Sequence, residues 1–486
     1  MRRKVISILS SSFLLLMLII STTSIQSFAQ NSGDKIAGTW QGALKVSGGL
    51  ELRLVFHISQ KEDGGYNATL DSPDQGAKGI PTGGVTLKEK HLKIDIPAVA
   101  GFYEGDFDEE WQSIEGTWNQ GGAALPLTVK RVDKVEELKR PQVPQKPYPY
   151  NEENVTWENK EAGLTLAGTL TFPKAGGPFP AAILVSGSGP QDRDESLLGH
   201  KPFLVLADHL TRNGIAVLRY DDRGVGKSTG NFASATTEDF ARDALAGIGF
   251  LKTRKEIDAK KIGLIGHSEG GLIAPMAATQ SKSIAYIVML AGPGLNGAEI
   301  LYLQSALIAK ANGISDELIA LGRTNSEKIY AIVTTEKSDS VAAQKIRELQ
   351  KESWAGYSDE IKAEMEKFGD PEKLLEATIK QLLTPWFRFF LAYEPRSALE
   401  KVTCPVLAIN GEKDLQVPPK ENLSAIEDAL KKAGNKMVVT KELPGLNHLF
   451  QTSETGAPSE YGKIEETFSP TALQMISDWI RESVER

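Results

Sequence analysis

From Pro180 to Leu290 short apolar runs alternate with helical stretches, and that alternation admits few folds. The apolar runs are Pro180–Val185, Ile215–Tyr220, Lys261–Gly266 and Ile284–Leu290. The helical stretches are Phe203–Asn213, Thr237–Leu251 and one opening near Gly270. Strands that are apolar on both faces and separated by helices indicate a mostly parallel sheet covered on each side. Strands return at Val406–Asn410 and Met437–Val439, and a last helix is expected over Ser469–Val484. Between them the pattern is almost wholly helical and rich in charge, as in Ile361-Lys362-Ala363-Glu364-Met365. A helical insertion there, at about residues 296–398, reads as a cap over one end of the sheet.

The chain before this region has another character. From Gly38 to Val132 short alternating runs are broken by turn signals such as Asp63-Gly64-Gly65, Pro73-Asp74 and Gly83-Gly84. Leu92, Ile94 and Ile96 repeat at period two, as do Leu125, Leu127 and Val129. The expectation is a small all-β domain of roughly seven or eight strands, a barrel or a sandwich. Gly38-Thr39-Trp40 is echoed by Gly116-Thr117-Trp118, which suggests two closing strands that each lend a tryptophan to the core. Pro141, Pro144, Pro147 and Pro149 make residues 139–150 stiff and extended. The expected layout is a leader at 1–29, the β domain at 30–138, this linker at 139–150 and the α/β domain at 151–486.

Two Gly-x-Ser-x-Gly matches occur, and their context separates them. Ser228 follows the polar, glycine-broken stretch Asp221-Asp222-Arg223-Gly224-Val225. Ser268 follows the apolar run Lys261–Ile265 and precedes a helix. A nucleophile elbow needs a strand before it and a helix after it, with small residues in the crowded turn. Ser268 is therefore the candidate nucleophile. Gly226-Lys227-Ser228 is no phosphate loop, because the required earlier glycine is Asp221. Asp222-Arg223-Gly224 reads as a structural turn whose acid and arginine pair locally.

Attack on a carbonyl needs two waiting N–H donors. One is assigned to the Glu269 amide and the other to Ser188, or else Gly189, in the loop Ser186-Gly187-Ser188-Gly189-Pro190-Gln191-Asp192-Arg193-Asp194. Of six histidines, His448 alone lies in a loop after the last expected strand, where the order serine, acid, histidine requires the base. His57 and His91 fall in the β domain, His209 lies mid-helix, the His267 side chain is expected to point away from the reactive side, and His200 is a candidate substrate contact. The acid must follow a strand between Ser268 and His448. Asp414 fits, with Glu412 as the alternative, and its role is to hold the imidazole tautomer.

With these residues in place, the segment from about Asn151 to Arg486 resembles the α/β-hydrolase superfamily, and within it the serine aminopeptidase-like branch. The resemblance rests on Gly266-His267-Ser268-Glu269-Gly270-Gly271, on Asp222-Arg223-Gly224-Val225-Gly226-Lys227-Ser228, on Asp414-Leu415-Gln416-Val417-Pro418 and on Gly445-Leu446-Asn447-His448. The chain also resembles bacterial two-domain carboxylesterases with an N-terminal β domain. That likeness implies hydrolysis of short-to-medium acyl esters by a Ser268-His448-Asp414 triad. Peptidase, thioesterase and acyltransferase chemistry on the same residues are the alternatives.

Composition excludes other classes. The net charge is −8, so phosphate backbones are repelled and nucleic acid is not an expected partner. A single cysteine, Cys404, and scattered histidines leave no metal-ligand cluster, and no cofactor is implied. Arg2, Arg3 and Lys4 precede an apolar run at Phe13–Ile20 and a small-x-small site at Ser27-Phe28-Ala29. This reads as a secretory signal cleaved after Ala29, giving a periplasmic or extracellular protein that acts on a small ester and keeps no membrane segment. The run is nearer ten residues than the roughly 20 of a membrane span.

Overall fold

The computed structural model describes residues 35–46, 51–75, 77–135, 139–359, 362 and 371–485. The expected signal segment lies outside the described residues. The chain divides into two compact units. One holds the chain up to Lys139 with Leu197–Gly199 and Ala343–Gln381, and the other holds Arg140–Ser196, His200–Ala342 and Leu382–Arg486. Among the described residues no helix is long and apolar enough to cross a membrane.

In the first unit the β domain is a barrel. Its antiparallel strands run from Gly38–Lys45 to Ala123–Val132, and the ring closes where Glu51–Gln60 pairs with Tyr66–Ser72. Eight strands form the ring, and the short strand Ala77–Pro81 pairs outside it on Tyr66–Ser72. Closure leaves the ring itself without an open edge. Side chains fill the interior. Trp40 is fully buried, donates from Nε1 to the Ile36 carbonyl at 2.9 Å and meets Phe107 edge-on at 5.2 Å. Trp118 is also buried, but its strand, Ser113–Gln120, is separated from the Trp40 strand by Ala123–Val132. The Gly-Thr-Trp echo thus marks two core anchors on non-adjacent strands. The same unit carries the helix Pro371–Leu382, and a Cβ on Gly122 of the barrel would lie 2.7 Å from the Lys373 Cβ.

The second unit is built on an eight-stranded sheet. Its strands are β1 (Asn151–Asn159), β2 (Leu164–Phe172), β3 (Phe179–Val185), β4 (Ala216–Tyr220), β5 (Ile257–His267), β6 (Ile287–Leu290), β7 (Val406–Gly411) and β8 (Val438–Leu443). Their order is β1-β2-β4-β3-β5-β6-β7-β8. β1 and β2 are antiparallel, β2 runs antiparallel to β4, and the remaining pairs are parallel. Helices cover both faces. Phe203, Leu206 and Leu210 of α1 (Pro202–Arg212) share one core with Ile476 and Ile480 of the last helix. Phe240 and Ala244 of α2 (Thr237–Leu251) and Ile273 and Ala274 of α3 (Gly270–Gln280) share the other. Helix α2 starts where it does because Thr236 and Asp239 cap each other reciprocally, with Thr236 N donating to Asp239 Oδ2 at 2.9 Å. The expected insertion is helical, with Gly297–Ala311, Asp316–Thr335, Asp339–Gly356, Pro371–Leu382 and Pro385–Ala392 among the described residues.

Trp40→Ala removes a fully buried indole from the barrel and should lower stability by about 3–5 kcal/mol. Urea unfolding of the full chain, followed by far-UV dichroism, checks this.

Candidate active site

Ser268 sits in the turn between β5 and α3 with φ = 52°, in the left-handed region that L-residues seldom occupy. Its surroundings explain the glycines. A Cβ on Gly266 would lie 1.9 Å from the Gly270 carbonyl oxygen, one on Gly270 2.2 Å from the Val185 oxygen, and one on Gly271 2.4 Å from the Gly292 Cα. Ser268 N donates to the Leu290 carbonyl at 2.8 Å, which ties the turn to the neighbouring strand β6.

The loop after β3 reaches this turn, since a Cβ on Gly187 would lie 3.2 Å from the Ser268 Cβ. Buried acids hold the loop. Gly187 N donates to Glu195 Oε1 at 2.7 Å. Ser186 Oγ and Gln191 N donate to the two oxygens of Asp222, each at 2.9 Å. Among the described residues, the amides of Ser188 and Glu269 donate to no protein acceptor. Burial pushes the Asp222 carboxyl well above the usual range, against the bonds from Gln191 and Ser186.

His448 and Asp414 come together from the loops after β8 and β7. His448 Nδ1 lies 2.8 Å from Asp414 Oδ2, with both side chains buried. Asp414 Oδ1 accepts the amides of Gln416 and Val417 at 2.8 and 2.9 Å, which orients the carboxylate. Glu412, the alternative acid, instead accepts the Gly445 amide at 2.8 Å. The His448 loop meets the turn that carries Ser268, because His267 Nε2 lies 3.0 Å from the His448 carbonyl oxygen and the two rings are 4.9 Å apart. A serine on a strained turn, an acid-held imidazole on a loop that meets that turn through His267, and two uncommitted amides are the parts that acyl transfer calls for.

A family profile described as serine aminopeptidase, S33 matches residues 201–351. Esterase EstD of Thermotoga maritima is 28% identical over 380 residues, covering 76% of this chain and 79% of that protein. The sheet and its helices have the α/β-hydrolase fold. The hydrolase is also similar to thiohydrolase apmlB of Arthrinium phaeospermum, 35% identical over 131 residues, which cover 26% of this chain and 38% of that one. The solved esterase Pf2001 of Pyrococcus furiosus aligns with a TM-score of 0.41 at 15% identity, over 72% of this chain and 98% of that one.

Two readings of the hydrolase sequence need correction. Asp222 and Arg223 do not pair with each other. Arg223 is clamped by Asp243, Nε to Oδ2 at 2.7 Å, while Asp222 serves the loop after β3. The His267 side chain, expected to point away from the reactive side, has its Nδ1 2.9 Å from Glu195 Oε1. His200 is no substrate contact. It is buried, with Nδ1 2.8 Å from Thr467 Oγ1 and Nε2 3.0 Å from the Tyr461 carbonyl oxygen. Glu269, whose side chain had no expected role, is buried and accepts Thr237 Oγ1 at 2.7 Å and Trp386 Nε1 at 2.8 Å on one oxygen. Burial raises its carboxyl, while bonds from Thr237, Trp386 and Ser188 pull it down. No local signal marks Glu195, since its partner His267 lies 72 residues away.

Burial, aided by the Arg140 charge, lowers the His200 imidazole from 6.5 to about 4. Protonation therefore favours the unfolded chain. The contribution is fully present above about pH 6.5 and is lost as pH falls through about 4, on the order of 3 kcal/mol. Denaturation at pH 7 and pH 4 should show a larger acid loss for the wild type than for His200→Gln.

Proposed function

We propose that the protein is a periplasmic or extracellular serine carboxylesterase for short-to-medium acyl esters. The Asp414–His448 pair, held at 2.8 Å beside the strained Ser268 turn, carries this reading. His448 takes the Ser268 proton as the serine oxygen attacks the ester carbonyl. The negative oxygen is met by the amides of Glu269 and Ser188, with Gly189 the alternative second donor. Collapse expels the alcohol, which takes the proton from His448, and leaves an acyl group on Ser268. Water, giving a proton to His448, then releases the acid and restores the serine. Asp414 keeps the His448 tautomer and balances its charge.

Similarity to a thiohydrolase supports a second reading in which the leaving group is a thiol. The same residues perform it, so substrate preference separates the two. The family description likewise keeps aminoacyl anilides among the substrates to compare.

The test is hydrolysis of p-nitrophenyl esters, acetate through palmitate, beside matched thioesters. Ser268→Ala should remove nearly all activity, and Asp414→Asn should lower kcat by about 10²–10⁴ with the fold intact. Retention of ester hydrolysis by Ser268→Ala contradicts the proposal.

A further inference from the structure

Beside the Asp414–His448 pair lies a second buried acid–histidine pair, Glu195–His267. Glu195 Oε1 is 2.9 Å from His267 Nδ1 and accepts the Gly187 amide at 2.7 Å. His267 Nε2 is 3.0 Å from the backbone carbonyl oxygen of His448. Both side chains are buried, and Glu195 adopts φ = 51° to reach the contact. One carboxylate and one ring thus join the loop after β3, the end of β5 and the loop after β8. Gly187 belongs to the loop beside Ser268, His267 precedes the nucleophile, and His448 is the proposed base.

The hydrogens follow from the acceptors. A backbone carbonyl only accepts, so His267 Nε2 carries a proton. One further proton lies between Nδ1 and Oε1, and the pair is neutral overall whichever atom holds it. The Gly187 N–H already occupies Oε1, which favours holding that proton on the ring. Burial opposes the charged ring, but the Glu195 charge and hydrogen bond, the His448 carbonyl and the Asp414 charge together raise its pKa. The His448 ring, 4.9 Å away, and the Phe450 edge, 6.5 Å away, complete the ring's surroundings.

We propose that Glu195 and His267 are positioning residues that hold the Ser188 loop and the His448 backbone at fixed distances from Ser268. The inference rests on the esterase reading, because it assigns the pair a part in that reaction. A displacement of about 1 Å at a reacting group can cost about a hundredfold in rate. A paired, doubly bonded imidazole suits the task, because releasing either contact leaves a buried polar group without its partner.

Glu195→Gln tests this. The amide keeps the shape but cannot take up the shared proton. It should stay folded, with kcat on a p-nitrophenyl ester lower by about tenfold or more and KM within about twofold. Nitrogen-15 NMR of histidine-labelled wild type should show hydrogens on both His267 ring nitrogens near neutral pH, and Glu195→Gln should keep only the Nε2 hydrogen. An unchanged kcat in folded Glu195→Gln overturns the proposal, as does a single ring N–H on His267 in the wild type. The wild-type spectrum decides even if the variant does not fold. Ser268→Ala, assayed alongside, reports separately on the esterase reading, and its failure leaves the NMR result standing.

Discussion

The site depends on how closely three backbones approach at the C-terminal end of β5. Gly266, Gly270 and Gly271 each have backbone atoms of another residue where a Cβ would sit, at 1.9, 2.2 and 2.4 Å. Only glycine allows β3, β6 and the start of α3 to converge there. That convergence lifts Ser268 into a left-handed turn and brings the loop after β3 beneath it. The strain is borne by the packed sheet, whose central strands are apolar on both faces and seal two separate cores.

Buried acids then set the loops. Glu195, Asp222, Glu269 and Asp414 each accept bonds from groups at or next to the site. An acid placed so deeply costs free energy unless its oxygens are engaged. Here the engagement does structural work, because each carboxyl joins segments far apart in the chain. Glu269 ties α2, through Thr237, to the helix Pro385–Ala392, through Trp386.

Much of the fold was legible in the sequence. The strand–turn–helix context singled out Ser268 over Ser228, and chain order pointed to Asp414 and His448. Local pattern suffices there because the elbow and the loops after β7 and β8 are defined by their own short strands. Other features escaped it. Asn151–Asn159 is too polar to announce itself as the edge strand β1, and in β2 Gly168 interrupts the period-two run of Leu164, Leu166 and Leu170. Period-two runs could not distinguish a barrel from a sandwich, because closure depends on which strands pair. The Glu195–His267 contact and the true partners of Asp222 and Arg223 are long-range, and no spacing rule encodes them.

The proposed chemistry turns on Ser268 being the one activated serine. The folded protein can be treated with a fluorophosphonate and the adduct located by peptide mass spectrometry. A single adduct on Ser268 is expected, absent from Asp414→Asn and His448→Ala under the same brief exposure. Labelling at Ser228, or none at Ser268 in folded protein, would contradict it.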